Sequence, residues 1–318
     1  MSEWHTLFFC EYDKKYFNLA YFSFLYYLCT MKLLGIVILY YPQDSYLLNL
    51  NSYISLLDAL IVWDNTPQEA KQPLNWSVVK SPEKLIMKGR DCNTGLGTPL
   101  NEAITYMRDY DFTHLLALDQ DSKFKVGVLE QYLIGVKSCM QQEAIFCPNY
   151  FLISQQSAQY PVVDSVDEIT SSMTSGSIYP LTVLNRVGEF LDALFVWGID
   201  SEYCFRAKRL GIPTLCFKNI LLTHDLGYQK KKRKLLGKEV FPNEYGAARS
   251  YYNVRNGILL HRLYPDIINL QDHLRYHLWK RSVFIVLYEK QKLRKLYALF
   301  WGYVDGKRNR MGQSTHSL

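Results

Sequence analysis

The sequence predicts an α/β fold with a mostly parallel central sheet, and three observations carry that prediction. Continuous apolar runs of strand length alternate with stretches of helical apolar spacing between residues 33 and 147, the pattern of strands covered on both faces by helices. Several of those runs stop abruptly at Asp, Asn or Gly, and open parallel sheets bind ligands at the carboxyl ends of their strands. The chain of 318 residues is 48% hydrophobic and 21% charged, an ordinary globular composition for one large domain or two modest ones.

Residues 33–40, Leu-Leu-Gly-Ile-Val-Ile-Leu-Tyr, form the first unbroken apolar run and end at Tyr41-Pro42. A second covers 59–63 and ends in Asp64-Asn65-Thr66. A third, over 84–88, gives way to a Gly- and Asn-rich loop from 89 to 97. A helix is predicted over 99–109, with Pro99 at its start, where a missing N–H does no harm. The fourth strand, 114–118, ends in Asp119-Gln120-Asp121-Ser122; a helix over 126–141 and a strand over 144–147 complete the alternation. Asp64, the Gly/Asn loop and the Asp119/Asp121 pair are thereby predicted on one sheet edge. Beyond them a helix runs from about Asp200 to 210 with Gly211 as its stop. Residues 245–261 and 274–300 also read as helices, with aromatic and basic side chains interleaved.

Two carboxylates spaced i, i+2 at the edge of a core cost stability unless something positive neutralises them. Carboxylate oxygens are the hard ligands that Mg²⁺ or Mn²⁺ prefers, often together with substrate phosphates. Asp119 and Asp121 therefore suggest a metal site for a phosphorylated substrate, against the alternative of a helix cap or turn. The loop Asp91-Cys92-Asn93-Thr94-Gly95-Leu96-Gly97 matches neither a Walker loop nor a dinucleotide Gly pattern. It reads as a simple loop, or as backbone that approaches a nucleotide where only Gly leaves room. The hydroxyl-rich stretch 171–177 would admit a polar ligand or be solvated. Asp200 reads as an N-cap, or, beside apolar Phe195, Val196 and Trp197, as a partly desolvated base. Glu202 and Arg206 are spaced for an i, i+4 pair.

The formal charge of +6 is uneven: residues 230–310 hold 19 Lys and Arg against 6 Asp and Glu, leaving 17 against 24 elsewhere. A basic C-terminal third suggests an anionic partner. No nucleic-acid motif accompanies the charge, so nucleic acid is not the predicted partner. Residues 280–288 are too short to span a bilayer but suit a surface helix at an anionic leaflet. The seven Cys form no Cys-x-x-Cys pair, which favours a reducing compartment. The Tyr-rich segment 16–29 is below transmembrane length. It is read as part of an extension, 1–30, upstream of the natural start at Met31-Lys32, with an interfacial anchor or a poor signal-like segment as the alternative.

In order, the chain carries Tyr40-Tyr41-Pro42, Asp64-Asn65, Asn93-x-Gly95 with Asn101 beyond, Asp119-Gln120-Asp121-Ser122 and Thr174-Ser175-Gly176-Ser177. Ile199-Asp200-x-Glu202-Tyr203-Cys204-x-Arg206, His224-x-x-Gly227, Tyr252-x-x-Arg255-Asn256 and Asp305-Gly306 follow. This series resembles a family 2 glycosyltransferase of the GT-A fold, and within it the bacterial rhamnosyltransferase-like group, over about residues 31–310. The resemblance implies a GT-A catalytic domain over 31–227 and a basic helical region over 228–318. It puts Tyr40, Asp64, Asn93, Gly95 and Asn101 on the donor side, with Asp64 at the base or ribose. Asp119 would contact ribose or metal-bound water, and Asp121 would bind the cation bridging the donor diphosphate. His224 is implied as a further metal or diphosphate ligand. Asp200 is implied as catalytic base; Ile199 replaces the family motif's first acid, a departure the rhamnosyltransferase-like group shares. Glu202 and Arg206 would position Asp200, and Ser175, Gly176 and Trp197 would shape the acceptor side or its loops.

The implied reaction is a single inverting displacement with Mg²⁺ or Mn²⁺ and no Cys or Ser nucleophile. The expected donor is dTDP-rhamnose, with UDP-galactofuranose or another UDP-hexose as the alternative. The expected acceptor is a polyprenyl-diphosphate-linked glycan of a bacterial surface polysaccharide, met by a cytoplasmic protein held peripherally on the inner face of the cell membrane. A non-catalytic glycan- or nucleotide-binding subunit is the alternative of a different class, against which the intact Asp119, Asp121 and Asp200 speak. A nucleotidyltransferase would need a Gly-rich, Lys- or Arg-bearing triphosphate loop after the first strand, and the sequence has none there.

Overall fold

The computed structural model describes residues 31–225, 232–235 and 237–318. The predicted extension over 1–30, Gly227 and the first two residues of the basic 230–310 stretch lie outside the described residues. In chain order the main-sheet strands are β1 (Leu33–Leu39), β2 (Ala59–Asp64), β3 (Leu85–Gly89), β4 (His114–Asp119) and β5 (Lys123–Phe124). They continue with β6 (Ile145–Leu152), β7 (Ser157–Ala158), β8 (Val166–Ile169), β9 (Ile178–Pro180) and β10 (Thr214–His224). The longer helices are α1 (Asp44–Leu50), α2 (Gly97–Asp109), α3 (Val128–Ser138), α4 (Leu181–Val187), α5 (Ile199–Arg209) and α6 (Ala247–Leu263). After α6 come α7 (Leu270–Leu274), a π-helical turn over Arg275–Lys280, α8 (Arg281–Tyr288) and α9 (Lys292–Lys307).

The strand order is β3-β2-β1-β4-β9-β6-β10-β5. β3, β2, β1 and β4 are mutually parallel, and β10 is parallel to β6. β9, a short strand between β4 and β6, is antiparallel to both. The sheet is thus mostly parallel, as the unbroken apolar runs predicted. Alternate side chains of β1 divide between two cores, as a pleated strand requires. Leu34, Ile36 and Ile38 pack on α2, α4, α5 and the end of α6, while Leu33, Val37 and Leu39 pack on α1 and α3. The result is a sheet covered by helices on both faces.

Two local expectations change. The helix predicted over 274–300 breaks at 289–291. There Glu289 turns inward to a buried ion cluster with Arg281 and Lys295, and Gln291 takes φ +54°. A desolvated carboxylate needs both cations close by, and that demand overrides helix propensity. Asp200 does not cap α5 either: Gly198, at φ +82°, occupies the N-cap. The Asp200 carboxylate instead accepts a hydrogen bond from the neighbouring Ser201 N–H at 2.8 Å.

Candidate active site at the carboxyl edge of the sheet

β1, β2, β3 and β4 all end on one edge, and β10, parallel to β6, ends there as well at His224. The topology therefore brings Tyr40, Asp64, the 89–97 loop, Asp119, Asp121 and His224 to the same rim. Asp119, Asp121 and His224 present ligand atoms that lie within 4.8 Å of one another. The His224 Nδ1 stands 3.2 Å from Asp121 Oδ1 and 2.9 Å from Ser122 Oγ. Ser122 is itself 2.7 Å from Ser175 Oγ, and Ser175 Oγ accepts the Asp119 backbone N–H at 3.0 Å. Ser175 and Ser122 are fully buried. The hydroxyl-rich stretch is thus an internal strut beneath the acidic turn, with Tyr150 Oη donating to the Ser175 carbonyl at 2.9 Å. Gly176 packs in the same layer, where a Cβ would lie 2.6 Å from Leu222 Cδ2.

Electrostatics mark the rim as short of positive charge. Burial, reinforced by Asp121 and Asp200, raises the Asp119 carboxyl from 3.8 to about 6, although His224 and Arg249 pull it the other way. Burial likewise raises Asp200. Burial lowers His224, but the Asp121 hydrogen bond and the Asp119 and Asp121 charges more than reverse it, so the imidazole ends above its usual value. Crowded carboxylates that hold protons this tightly are the environment a divalent cation relieves. Two carboxylates and one imidazole are a donor set that suits Mn²⁺ or Mg²⁺. The group therefore fits the residues.

Other predicted site residues are placed as follows. Tyr40 is exposed at the rim and exchanges two backbone hydrogen bonds with the Gln120 side chain, at 2.9 and 3.2 Å. Asp64 accepts the Thr66 N–H at 2.9 Å and lies 3.7 Å from Lys71. Asn93 closes its own turn by accepting the Gly95 N–H at 2.9 Å. Gly95 adopts φ +76°, and an added Cβ would fall 2.3 Å from the Phe195 carbonyl oxygen. That side of the glycine is therefore filled by protein, and the next N–H, of Leu96, donates to the same carbonyl at 2.8 Å. Asn101 spends both ends of its amide on the Phe190 backbone, at 2.7 and 3.0 Å.

Asp200 follows a loop held in an unusual shape. Phe195 and Trp197 adopt φ +66° and +67°, a region costly for residues with a Cβ. Two side chains from α6 hold it there. The Asn256 amide nitrogen lies 3.0, 2.8 and 2.7 Å from the carbonyls of Leu194, Val196 and Trp197. Arg255, fully buried, donates to the Leu194 carbonyl at 2.9 Å and to Asn256 Oδ1 at 2.8 Å. Sequence reasoning gave this pair no role; Arg-Asn inside an otherwise apolar helical run was the available signal. Glu202 is buried and takes a two-pronged grip from Arg206, at 3.0 and 2.7 Å. Tyr264 Oη donates to Glu202 at 2.8 Å and Arg206 reaches the Val187 carbonyl at 2.9 Å, so this pair ties α5 to its neighbours. Trp197 leans on His273 and His277, with ring centroids 5.7 and 5.9 Å away.

No family model matches the chain. Over 301 residues, 87% of the chain and 96% of the relative, it is 24% identical to the dTDP-rhamnosyl transferase RfbF of Shigella flexneri. Among solved structures it is similar to S. aureus TarS. Residues 1–349 of TarS in complex with UDP-GlcNAc superpose with a TM-score of 0.51 at 13% identity, covering 87% of this chain and 81% of that one. The same TarS segment in complex with UDP gives 0.50 at 12% identity, covering 90% and 93%. Against the whole TarS chain the TM-score is 0.50 at 13% identity, and this chain spans 43% of its length.

Proposed function

We propose that this chain, a family 2 glycosyltransferase of the GT-A fold, transfers rhamnose from dTDP-rhamnose to a growing, lipid-linked bacterial surface polysaccharide. It does so with inversion, with Mg²⁺ or Mn²⁺, at the inner face of the cell membrane. One observation carries the chemistry: Asp119, Asp121 and His224 converge within 4.8 Å at the rim where Asp200 also acts on Asp119. The sugar assignment follows the curated relative. A UDP-sugar, such as UDP-galactofuranose or another UDP-hexose, is the second reading, because TarS shares the fold and was solved with UDP-GlcNAc.

In the mechanism, Asp121 and His224 would hold the cation, with Asp119 beside them at the ribose or a metal-bound water. When bound, the cation supplies charge stabilisation to the departing diphosphate. Asp64 and Tyr40 lie where the nucleoside would rest, and Asn93, Gly95 and Asn101 keep that side of the rim in shape. Asp200 takes the proton of the acceptor hydroxyl. Burial makes it a stronger base than an exposed carboxylate. One in-line displacement needs no covalent enzyme intermediate, so no Cys or Ser side chain takes part. Glu202, Arg206, Ser175 and Gly176 position the loops, and Trp197 lines the acceptor side.

A panel of nucleotide sugars scored by thermal shift with and without Mn²⁺ tests this reading, since a ligand that binds only the folded state raises its apparent stability. dTDP-rhamnose is expected to raise Tm only when Mn²⁺ is present. A shift by a UDP-sugar alone replaces the donor, and no shift with any donor removes the reading.

A further inference from the structure

The helical run 270–288 has two unlike faces. Its inner face sets the His273 and His277 rings, tilted and edge-on, against Trp197, and packs Leu274, Leu278 and Ile285 into a small core with α6 and α9. Its outer face carries Tyr276, Trp279, Val283, Val286 and Leu287, each between 48% and 68% exposed. Their spacing, i, i+3, i+7, i+10, i+11, is that of one helix face. An apolar stripe of this kind is uncommon on a protein surface with no partner. α9 repeats the composition with Leu293, Tyr297 and Phe300 exposed at i, i+4, i+7.

The charge around the stripe is predominantly positive. Lys280, Lys290, Lys292 and Arg294 are exposed. The only carboxylates between residues 275 and 310 are Glu289 and Asp305, and both are buried and paired. Asp272, one turn before the stripe, lies 3.7 Å from Arg275. No helix among the described residues is long and apolar enough to cross a membrane.

We infer that the outer face of residues 270–288 docks on an anionic lipid leaflet, with the Tyr276–Leu287 stripe in the interface and the flanking lysines on the headgroups. Aromatic and aliphatic side chains bordered by cations are the makeup of helices that lie in the membrane plane. Charge complementarity selects lipid over a second copy of this chain, because a symmetric pairing would bring the same lysines face to face. The inner face of the same run touches Trp197, three residues before Asp200. Docking therefore brings the base loop to about one helix diameter from the lipid surface, within reach of the sugar that a lipid-linked acceptor presents; this last step depends on the glycosyltransfer reading.

The test uses the full chain with phosphatidylcholine vesicles, with and without phosphatidylglycerol, read by co-sedimentation. The wild type is expected to bind the phosphatidylglycerol vesicles. Trp279→Ser with Leu287→Ser, and separately Lys280→Glu with Lys292→Glu, are expected to weaken that binding by about tenfold or more. Both replace exposed side chains, so melting temperature and the Mn²⁺-dependent donor shift should stay at wild-type values. Three results overturn the assignment: a wild type that ignores the vesicles, variants that bind as well as wild type, or a dimer that the serine variant converts to monomer. Vesicle binding without any donor shift leaves the docking face standing and removes the glycosyltransfer reading instead.

Discussion

Asp200 and Asp119 are both partly buried carboxylates with raised pKa values, and the proposed reaction gives them different tasks. Asp119 stands beside Asp121 and His224, where the proposed cation and donor diphosphate would sit. Asp200 stands after the Trp197 loop and, in the proposed reaction, would take the proton of the acceptor hydroxyl. Asp200→Asn should therefore keep Mn²⁺-dependent donor binding while transfer drops by about 10²–10⁴-fold; near-normal turnover would remove Asp200 as base. The raised values also predict a pH dependence of stability. A carboxyl that binds its proton more tightly when folded loses stability as pH rises between its unfolded and folded values, for Asp119 between 3.8 and about 6. His224, also raised, adds in the same direction: its contribution is complete below 6.5 and is lost as pH rises through its folded value. The metal-free protein should thus melt at lower temperature as pH rises through this window. Mn²⁺ should flatten or reverse the slope, and Asp119→Asn should remove part of it. Melts in chelator against Mn²⁺ across that range check the sign.

At the scale of the element, the loop 194–198 decides where Asp200 points, and it is held from outside. Phe195 and Trp197 would relax from positive φ without the carbonyl contacts that Asn256 makes. Asn256→Ala should cost about 1–3 kcal/mol of stability, the usual penalty for leaving buried carbonyls unpaired. It should also lower kcat more than it raises the donor KM, because the donor rim on β1, β2 and β4 is untouched. Equal loss in both parameters would argue that the loop also shapes the donor side. The pair Glu202–Arg206 was legible from its i, i+4 spacing, whereas the Tyr264 contact that completes it comes from 62 residues away.

At the scale of the whole chain, the described residues pack together across the boundary that the charge asymmetry suggested. Leu259, Leu260 and Tyr264, from the basic C-terminal region, sit in the same apolar core as β1, β4 and α5. Residues 31–227 produced alone would expose that surface along with the 194–198 loop. Such a fragment is expected to lose its cooperative thermal transition and to aggregate, as read by circular dichroism and light scattering. A fragment that melts like the full chain would show two independent units.

The parallel strands β1 to β4 and β6, the helices α2 and α3 between them and the acidic rim could be read from the chain because each depends on local pattern: apolar runs of strand length, and polar residues where those runs stop. The short strands β5, β7, β8 and β9 and the long β10 could not, since they are fixed by pairing with distant strands. The ordered motifs likewise carry the resemblance on which the proposed glycosyltransfer rests. The sequence alone did not reveal that Ser175 braces the acidic turn or that Gly95 is closed by Phe195. Nor did it reveal that Asn101 serves Phe190, or that Arg255 and Asn256 hold the base loop. Those contacts join residues far apart in sequence, and a polar side chain's role depends on which partner the packing brings within about 3 Å. Local pattern determined which residues reach the rim; the tertiary structure decided which of them stay open there and which are committed to supporting their neighbours, because only packing brings distant partners within hydrogen-bond reach.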